Sequence, residues 1–186
     1  IHLCQAYLER HGVPRQFVHT PVALDHPEVA ELARRCGSRR EGADPAGEPA
    51  PLPGGPRVEL AEPLFRELSQ VENGVGIAFV IDTPSHPMPE RIDADGVYLD
   101  GLQGPGNVGT ILRTCAAVGV GHVFTAPTTA WCWSPKVLRA GMGAHFALSI
   151  HEAVPWDELR ARLLVPIVAT AGEARQALWA LDLRPA

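Results

Sequence analysis

The sequence predicts two α/β units in tandem, and three observations predict them. Short apolar runs of strand length alternate with stretches of helical period along the whole chain, the order expected when helices cover sheets. Pro84, Pro87 and Pro89 stand close together and interrupt that alternation near its middle, because proline at such density resists both helix and sheet. Beyond them the order reads β-α-β-α-β-α-β. That order predicts a mainly parallel sheet with its functional loops at the strand C-terminal ends.

The elements of the front unit, residues 1–82, follow from periodicity and punctuation. Leu3, Ala6, Tyr7 and Leu8 place an amphipathic helix over 1–11, which Gly12-Val13-Pro14 ends. Gln16–His19 reads as a short strand. His26-Pro27 opens a second helix, in which Val29, Ala30, Leu32 and Ala33 recur at helical spacing up to Cys36-Gly37. Residues 37–56 are rich in Gly, Pro and Ala and predict no regular element, only a loop or flexible insert. A strand at 57–60, a helix at 62–69 and a buried strand at 76–81 close the unit, and residues 83–93 form a linker.

The back unit, residues 94–186, opens with a strand at 96–100 and a glycine-bearing loop. A helix over 108–118, a strand at 121–126, a helix at 134–141 and a strand at 146–150 follow. A helix at 155–163 and a strand at 166–170 end the visible series. No internal repeat is present.

Composition sets the class. The 186 residues are 46% apolar and 20% charged, ordinary for a soluble globular protein. No apolar run approaches the roughly 20 residues that span a bilayer. Ile1 comes first, and no basic stretch with an apolar core and cleavage site is visible, so no secretory signal is expected and the start reads as the middle of something longer. Cys4, Cys36, Cys115 and Cys132 form no C-x-x-C pair and have no histidine at zinc-finger spacing. Reduced thiols in a cytoplasmic protein are expected, with Cys115 a small core residue and no metal site.

Net charge of −5 speaks weakly against a nucleic-acid protein, so its distribution matters. Residues 1–93 carry 9 basic and 14 acidic side chains, a balance of −5, and residues 94–186 carry 7 of each. No Asp or Glu occurs between Asp100 and Glu152, a stretch of 51 residues that holds Arg113, Lys136 and Arg139. Either this stretch faces phosphates, where a carboxylate would repel the polyanion, or it is an apolar core that excludes charge of both signs.

The strand at 96–100 runs into Gly101-Leu102-Gln103-Gly104-Pro105-Gly106-Asn107 and then a helix, for which Asn107 is the expected cap. Glycines let the backbone approach a ligand, and free N–H groups at a helix start favour an anion. Arg113, less than two helical turns on, can point near the same place. A tight turn with a structural arginine is the competing reading. The dinucleotide pattern is not supported, because the glycines stand in the wrong frame of the strand and no acid follows about 20 residues later. No Walker A lysine is present.

The run Leu102–Arg113, with Asn107-Val108-Gly109 and Arg113 at N-x-G-x-x-x-R spacing, resembles the first signature of the SpoU (TrmH-like, SPOUT) RNA ribose 2′-O-methyltransferases. Ser134–Phe146 resembles that family's next segment, where a helix delivers a small-residue turn into a strand. Residues 1–81 look like the ribosomal-protein-like substrate-binding domain often fused ahead of these enzymes. Where the family usually carries an acid, this chain has Gly104. The later Gly-Asn-Glu and Ser-Leu-Asn segments do not occur before Ala186, so the resemblance implies a chain truncated at the C-terminus with its knot incomplete.

The resemblance implies an S-adenosylmethionine-dependent enzyme acting on RNA, ribosomal rather than transfer RNA, and a homodimer through the catalytic domain. It puts catalysis on Asn107 and Arg113. Arginine keeps its charge and is a poor base, so Arg113 is expected to clamp phosphate and stabilise a developing alkoxide, while Asn107 fixes the loop. Lys136 and Arg139, three apart on one helix, are expected on phosphates, with a merely solvated face as the alternative. Thr170 and Ala171, at the end of the last strand, are the candidates to meet the cofactor. His145, at the end of a small-residue turn, is expected to be an ordinary packed or hydrogen-bonded histidine, with a catalytic role as the alternative. Alternation makes one of Trp131 and Trp133 buried and the other exposed, with core packing favoured over base stacking as their role. Two other functions compete: a non-catalytic RNA-binding protein on a degenerate methyltransferase fold, and a small-molecule enzyme on a doubly wound nucleotide fold.

Overall fold

The computed structural model of the chain describes residues 1–37, 57–69, 74–174 and 176–181. In the front half, α1 (His2–His11) leads into β1 (Gln16–His19), a 3₁₀ turn at Pro21–Asp25 and α2 (Pro27–Gly37). Then come β2 (Arg57–Glu59), α3 (Glu62–Leu68) and β3 (Ile77–Val80). β1 lies in the middle of this sheet, parallel to β2 and antiparallel to β3. Phe17 packs there with Leu8 of α1 and with Val29, Leu32 and Ala33 of α2, whose helical spacing turns them to one side. Each fully buried side chain of this size contributes about 1.5–3 kcal/mol.

Two expectations for this half change. The 3₁₀ turn at Pro21–Asp25 is an added element, ordered by the Ala23 N–H to the Thr20 carbonyl at 3.2 Å and the His26 N–H to the Ala23 carbonyl at 3.2 Å. The strand expected to be buried at 76–81 forms over 77–80 but is only half-buried, with Val80 exposed. It is an edge strand, so one side of its backbone has no neighbour. The insert expected at 37–56 lies outside the described residues apart from Gly37, the last residue of α2.

In the back half, β4 (Gly96–Leu99), α4 (Pro105–Val118), β5 (His122–Thr125), α5 (Pro135–Gly141), β6 (Ser149–His151) and α6 (Trp156–Arg160) alternate. The three strands form a separate parallel sheet in the order β4-β5-β6, with Leu99 opposite Thr125 and Phe124 opposite His151. Leu99, Val123 and Ile150 face a core with Val108, Leu112 and Cys115 of α4 and Val137 of α5. Phe124 points the other way, onto Ile92, Val154 and Leu159, as the period-two alternation of a strand requires.

Four boundaries in this half are corrected. α4 begins at Pro105 with Gly104 as its cap, not at Asn107, because proline at the first helical position has its φ already set and no N–H to satisfy. The strand expected from Phe146 starts at Ser149, since Met142 and Gly143 adopt left-handed backbone and Ala144–Ala147 coils into a 3₁₀ turn. α6 stops at Arg160, because Leu163 pairs with Ile92 instead. No strand forms at 166–170: Ile167 and Val168 are exposed on irregular backbone, with no partner strand among the described residues.

The proline-rich segment has no helix or strand over 83–91, yet it is anchored. Ile92 exchanges backbone hydrogen bonds with Arg162 and Leu164, both 2.8 Å, and Met88 packs against the cluster around Phe124. The two halves also share α1. Its Leu8 belongs to the front core, while Leu3, Ala6 and Tyr7 pack against the back one, where the Tyr7 and Phe146 rings stand 5.2 Å apart, edge to face. All four cysteines are free, Cys115 and Cys132 buried. No helix among the described residues is long and apolar enough to cross a membrane.

Candidate nucleic-acid interface

The loops that leave β4 and β5 are laced together at the C-terminal edge of the parallel sheet. The Ala126 N–H donates to the Leu99 carbonyl at 2.9 Å, the Thr129 hydroxyl to the same carbonyl at 2.8 Å, and the Ala130 N–H to the Leu102 carbonyl at 2.9 Å. The Gln103 amide donates to the Thr128 carbonyl. Gly101 turns this loop with φ +64, and a Cβ there would meet the Thr128 hydroxyl at 3.2 Å. Binding loops held in this way lose little order when a ligand arrives.

α4 rises from this platform. Gly104 offers no capping side chain and Pro105 has no N–H, so the free donors at the helix start belong to Gly106 and Asn107. Asn107 is the third helical residue and exposed, and its carboxamide folds back within 3.2 Å of where a Cβ on Gly104 would stand. Gly106, Asn107, Thr110, Arg113, Thr114 and Ala117 make one exposed arc. The Thr110 and Thr114 hydroxyls donate back to the carbonyls one turn earlier, at 2.8 and 3.0 Å. Asn107 and Arg113 therefore share this arc but are not brought together: six residues are about 9 Å of rise and leave the two side chains about 120° apart. Asn107 sits over the loop. Arg113 lies one turn beyond Gly109, on the flank that meets α5.

That flank is where the two helices touch. Gly109 is buried, and a Cβ on it would lie 2.5 Å from the Cβ of Ala140, 2.6 Å from the Val137 carbonyl oxygen and 2.9 Å from the Gly141 nitrogen. The glycine lets α4 and α5 approach backbone to backbone. Lys136 and Arg139 are exposed on α5, so the crossing sets its cations beside the helix that carries Arg113. Arg113 makes no hydrogen bond or ion pair with any described residue. Val108, Leu112, Cys115, Val123 and Val137 of the carboxylate-free stretch lie in the core, and its exposed charged side chains are all cationic.

Of the two tryptophans, Trp133 is the buried one at 7% exposure and Trp131 the exposed one at 58%. His145 is a packed histidine: its Nε2 lies 2.8 Å from the Cys132 carbonyl oxygen and its ring 5.2 Å from that of Trp133. Burial holds its imidazole below the ordinary value, offset in part by that hydrogen bond. Glu152 ends the carboxylate-free stretch, and its Oε1 accepts the Cys132 N–H at 2.7 Å. Burial, with the Glu152 carboxylate beside it, pushes the Cys132 thiol up to about 12. This thiol is a core group, not a nucleophile.

Thr170 and Ala171 do not join the site. Both are exposed on the irregular stretch that follows Leu163, with no strand to hold them. The described residues accordingly close no pocket for a nucleoside cofactor around them. Sequence reading missed the packing role of Gly109, although its place in N-x-G-x-x-x-R was the available signal. It also missed His86, His122 and His151, whose rings gather 5.9–6.2 Å apart across two strands and the proline-rich segment. No local pattern marks such a cluster, and no group of three metal-ligating side chains suited to an ion occurs among the described residues.

Comparison with known proteins agrees with this geometry. Residues 96–183 match the SpoU rRNA Methylase family. The mitochondrial rRNA methyltransferase 3 of Xenopus tropicalis is 44% identical over 73 residues, 39% of this chain and 16% of that protein. The 23S rRNA (guanosine(2553)-2′-O)-methyltransferase of Bacillus subtilis is 31% identical over 91 residues, 49% of this chain and 36% of that protein. The chain thus aligns with well under half the length of these relatives. Among solved structures, an RNA 2′-O ribose methyltransferase superposes with a TM-score of 0.68 at 24% identity, over 100% of this chain and 66% of that one. An rRNA methyltransferase from Sinorhizobium meliloti gives 0.63 at 23% identity, over 86% and 54%. At these identities the superpositions show the fold.

Proposed function

We propose that this chain, whose residues 96–183 match the SpoU rRNA Methylase family, is part of an S-adenosylmethionine-dependent methyltransferase that modifies a ribose 2′-hydroxyl of ribosomal RNA. One observation carries the RNA side of the proposal: α4 exposes Arg113 and the helix packed against it, α5, exposes Lys136 and Arg139, in a stretch with no carboxylate. Relatives named as rRNA methyltransferases support the substrate class, and one of them, in Bacillus subtilis, is named as a guanosine 2′-O enzyme. The front half would then present the RNA. A homodimer through the back half and a cytoplasmic setting complete the proposal.

The cofactor would supply a methyl group on a sulfonium. The described residues do not fit around it, since Thr170 and Ala171 lie exposed on irregular backbone. What this chain's own residues can do concerns the ribose. A 2′-hydroxyl is a poor nucleophile until its proton is drawn away and its oxygen aimed. Arg113 stays charged, so it serves as a fixed positive charge: it grips the neighbouring phosphate and stabilises negative charge as it develops on the 2′-oxygen. Asn107 holds the loop over Gly104 and leaves the first helical N–H groups open. A second reading is RNA binding without transfer.

Tritiated S-adenosylmethionine with rRNA separates them. A ribose 2′-O-methyl group blocks alkaline cleavage of the adjoining phosphodiester, so label should survive alkali in dinucleotides. Label released in mononucleotides would overturn the ribose assignment. Salt-sensitive RNA binding with no label would establish the second reading.

A further inference from the structure

We propose that Trp131 is a stacking platform for an unpaired base of the RNA, an inference that rests on the reading of this face as an RNA interface. The neighbouring residues are all accounted for by the fold. Trp133 packs in the core against His145 and Phe146, and Cys132 is fully buried with its N–H on Glu152. Trp131 does nothing comparable: 58% of it is exposed, and it makes no ring contact with a described residue.

Its backbone is nevertheless fixed on both sides. The preceding N–H, of Ala130, is held by the Leu102 carbonyl at 2.9 Å. The following one, of Cys132, is held by Glu152, and the Ser134 N–H closes a turn onto the Trp131 carbonyl at 3.1 Å. An indole on so firm a mount has little backbone freedom left to lose when a ring lies on it. Single exposed apolar side chains are common and need no explanation by themselves. The surroundings of this one are what select a nucleobase.

The turn from Trp131 to Ser134 leads straight into α5, whose second residue is the exposed Lys136. The loop on the other side is joined to the start of α4 through Gln103 and Leu102. No carboxylate occurs anywhere from Gly101 to His151. An exposed aromatic face whose turn leads into a helix bearing the exposed Lys136, with the nearby Glu152 carboxylate occupied by the Cys132 N–H, suits a base whose own phosphate is gripped alongside, the usual combination in single-strand recognition. A duplex keeps its bases stacked on each other and cannot use the ring.

Fluorescein-labelled single-stranded decamers of A and of U, and a duplex of the same length, should be titrated by anisotropy with the whole chain and three variants. Trp131→Leu should weaken the single strands by roughly 5- to 150-fold, the range for one base–aromatic stack, and leave the duplex unchanged. Trp131→Phe should recover most of the loss. Lys136→Ala should weaken both forms and reduce the salt dependence by about one phosphate contact. Thermal unfolding of Trp131→Leu should stay close to the parent, since most of the side chain is exposed, and Phe against Leu compares two apolar replacements.

Equal affinities for Trp131→Leu and the parent would overturn the proposal while leaving the RNA reading in place. Equal affinities together with a change in sedimentation coefficient would reassign Trp131 to protein contact. A parent chain that binds neither oligonucleotide would overturn the RNA reading and this proposal together.

Discussion

Gly109 and Ala140 meet where α4 crosses α5, so closely that a Cβ on the glycine would stand 2.5 Å from that of the alanine. Two effects compete in Gly109→Ala. Alanine favours a helix interior by about 1 kcal/mol. Against it, the methyl would press on the Val137 carbonyl at 2.6 Å and the Gly141 nitrogen at 2.9 Å, neither of which can move without its helix. Overpacking of this kind costs about 1–3 kcal/mol or more, and steric cost should win. Urea unfolding of Gly109→Ala should show a lower midpoint with an unchanged slope. A midpoint at or above the parent's would show that the helices separate freely.

Arg113→Ala should separate function from folding. The side chain is exposed and unbonded to any described residue, so the melting temperature should hold to within the equivalent of about 0.5 kcal/mol. Tritiated methyl transfer to rRNA should fall on the order of 10²–10³-fold if the guanidinium stabilises the transition state. Arg113→Lys should restore little, because an ammonium lacks the planar two-point grip on phosphate. Activity that falls only in step with the folded fraction would make Arg113 structural.

Glu152 should matter through a backbone amide. Its Oε1 accepts the N–H of the fully buried Cys132 at 2.7 Å. Glu152→Ala removes that acceptor and should cost about 1–3 kcal/mol, the penalty for an unpaired buried donor. Glu152→Gln keeps an oxygen in place and should cost clearly less. Chemical denaturation of both variants provides the comparison, and equal losses would mean that the charge, not the hydrogen bond, is what stabilises.

Stability should decline as the solution turns acidic past the histidine range. Burial lowers the folded-state value of His145, and burial with the neighbouring His122 and His86 lowers that of His151, both from an ordinary 6.5. Below about pH 6.5 the unfolded chain therefore takes up protons that the folded chain resists. The stabilisation is complete above that pH and is lost as pH falls through the folded-state values. Each site can contribute a slope of up to about 1.36 kcal/mol per pH unit. Urea midpoints should drop between pH 7.5 and 5.5, and drop less in His145→Gln, which keeps a donor for the Cys132 carbonyl. A flat profile in the parent would contradict neutral buried rings.

Much of this protein is written locally. Helical spacing in α2 and α4, the strand at Gly96–Leu99, the glycine-bearing loop after it and the alternating Trp131-Cys132-Trp133 each follow from the reach of a few residues, and so does the placing of Arg113 on an exposed helix face. What depends on distant partners was not legible. Residues 166–170 have the composition of a strand, but a strand exists only beside another, and the pairing here ends at Leu164. Asn107 looked like a cap until Pro105, with its φ already set, started the helix two residues earlier. Alternation required one tryptophan in and one out, and only the packing of Phe146 and His145 on Trp133 decided which. The separation of Asn107 from Arg113 is a matter of helical phase, and the close approach of α4 to α5 depends on Gly109 meeting Ala140. Sequence determines what each segment can become; contacts between segments far apart in the chain select which of those forms is stable, because burial and hydrogen bonding are settled only when both partners are present.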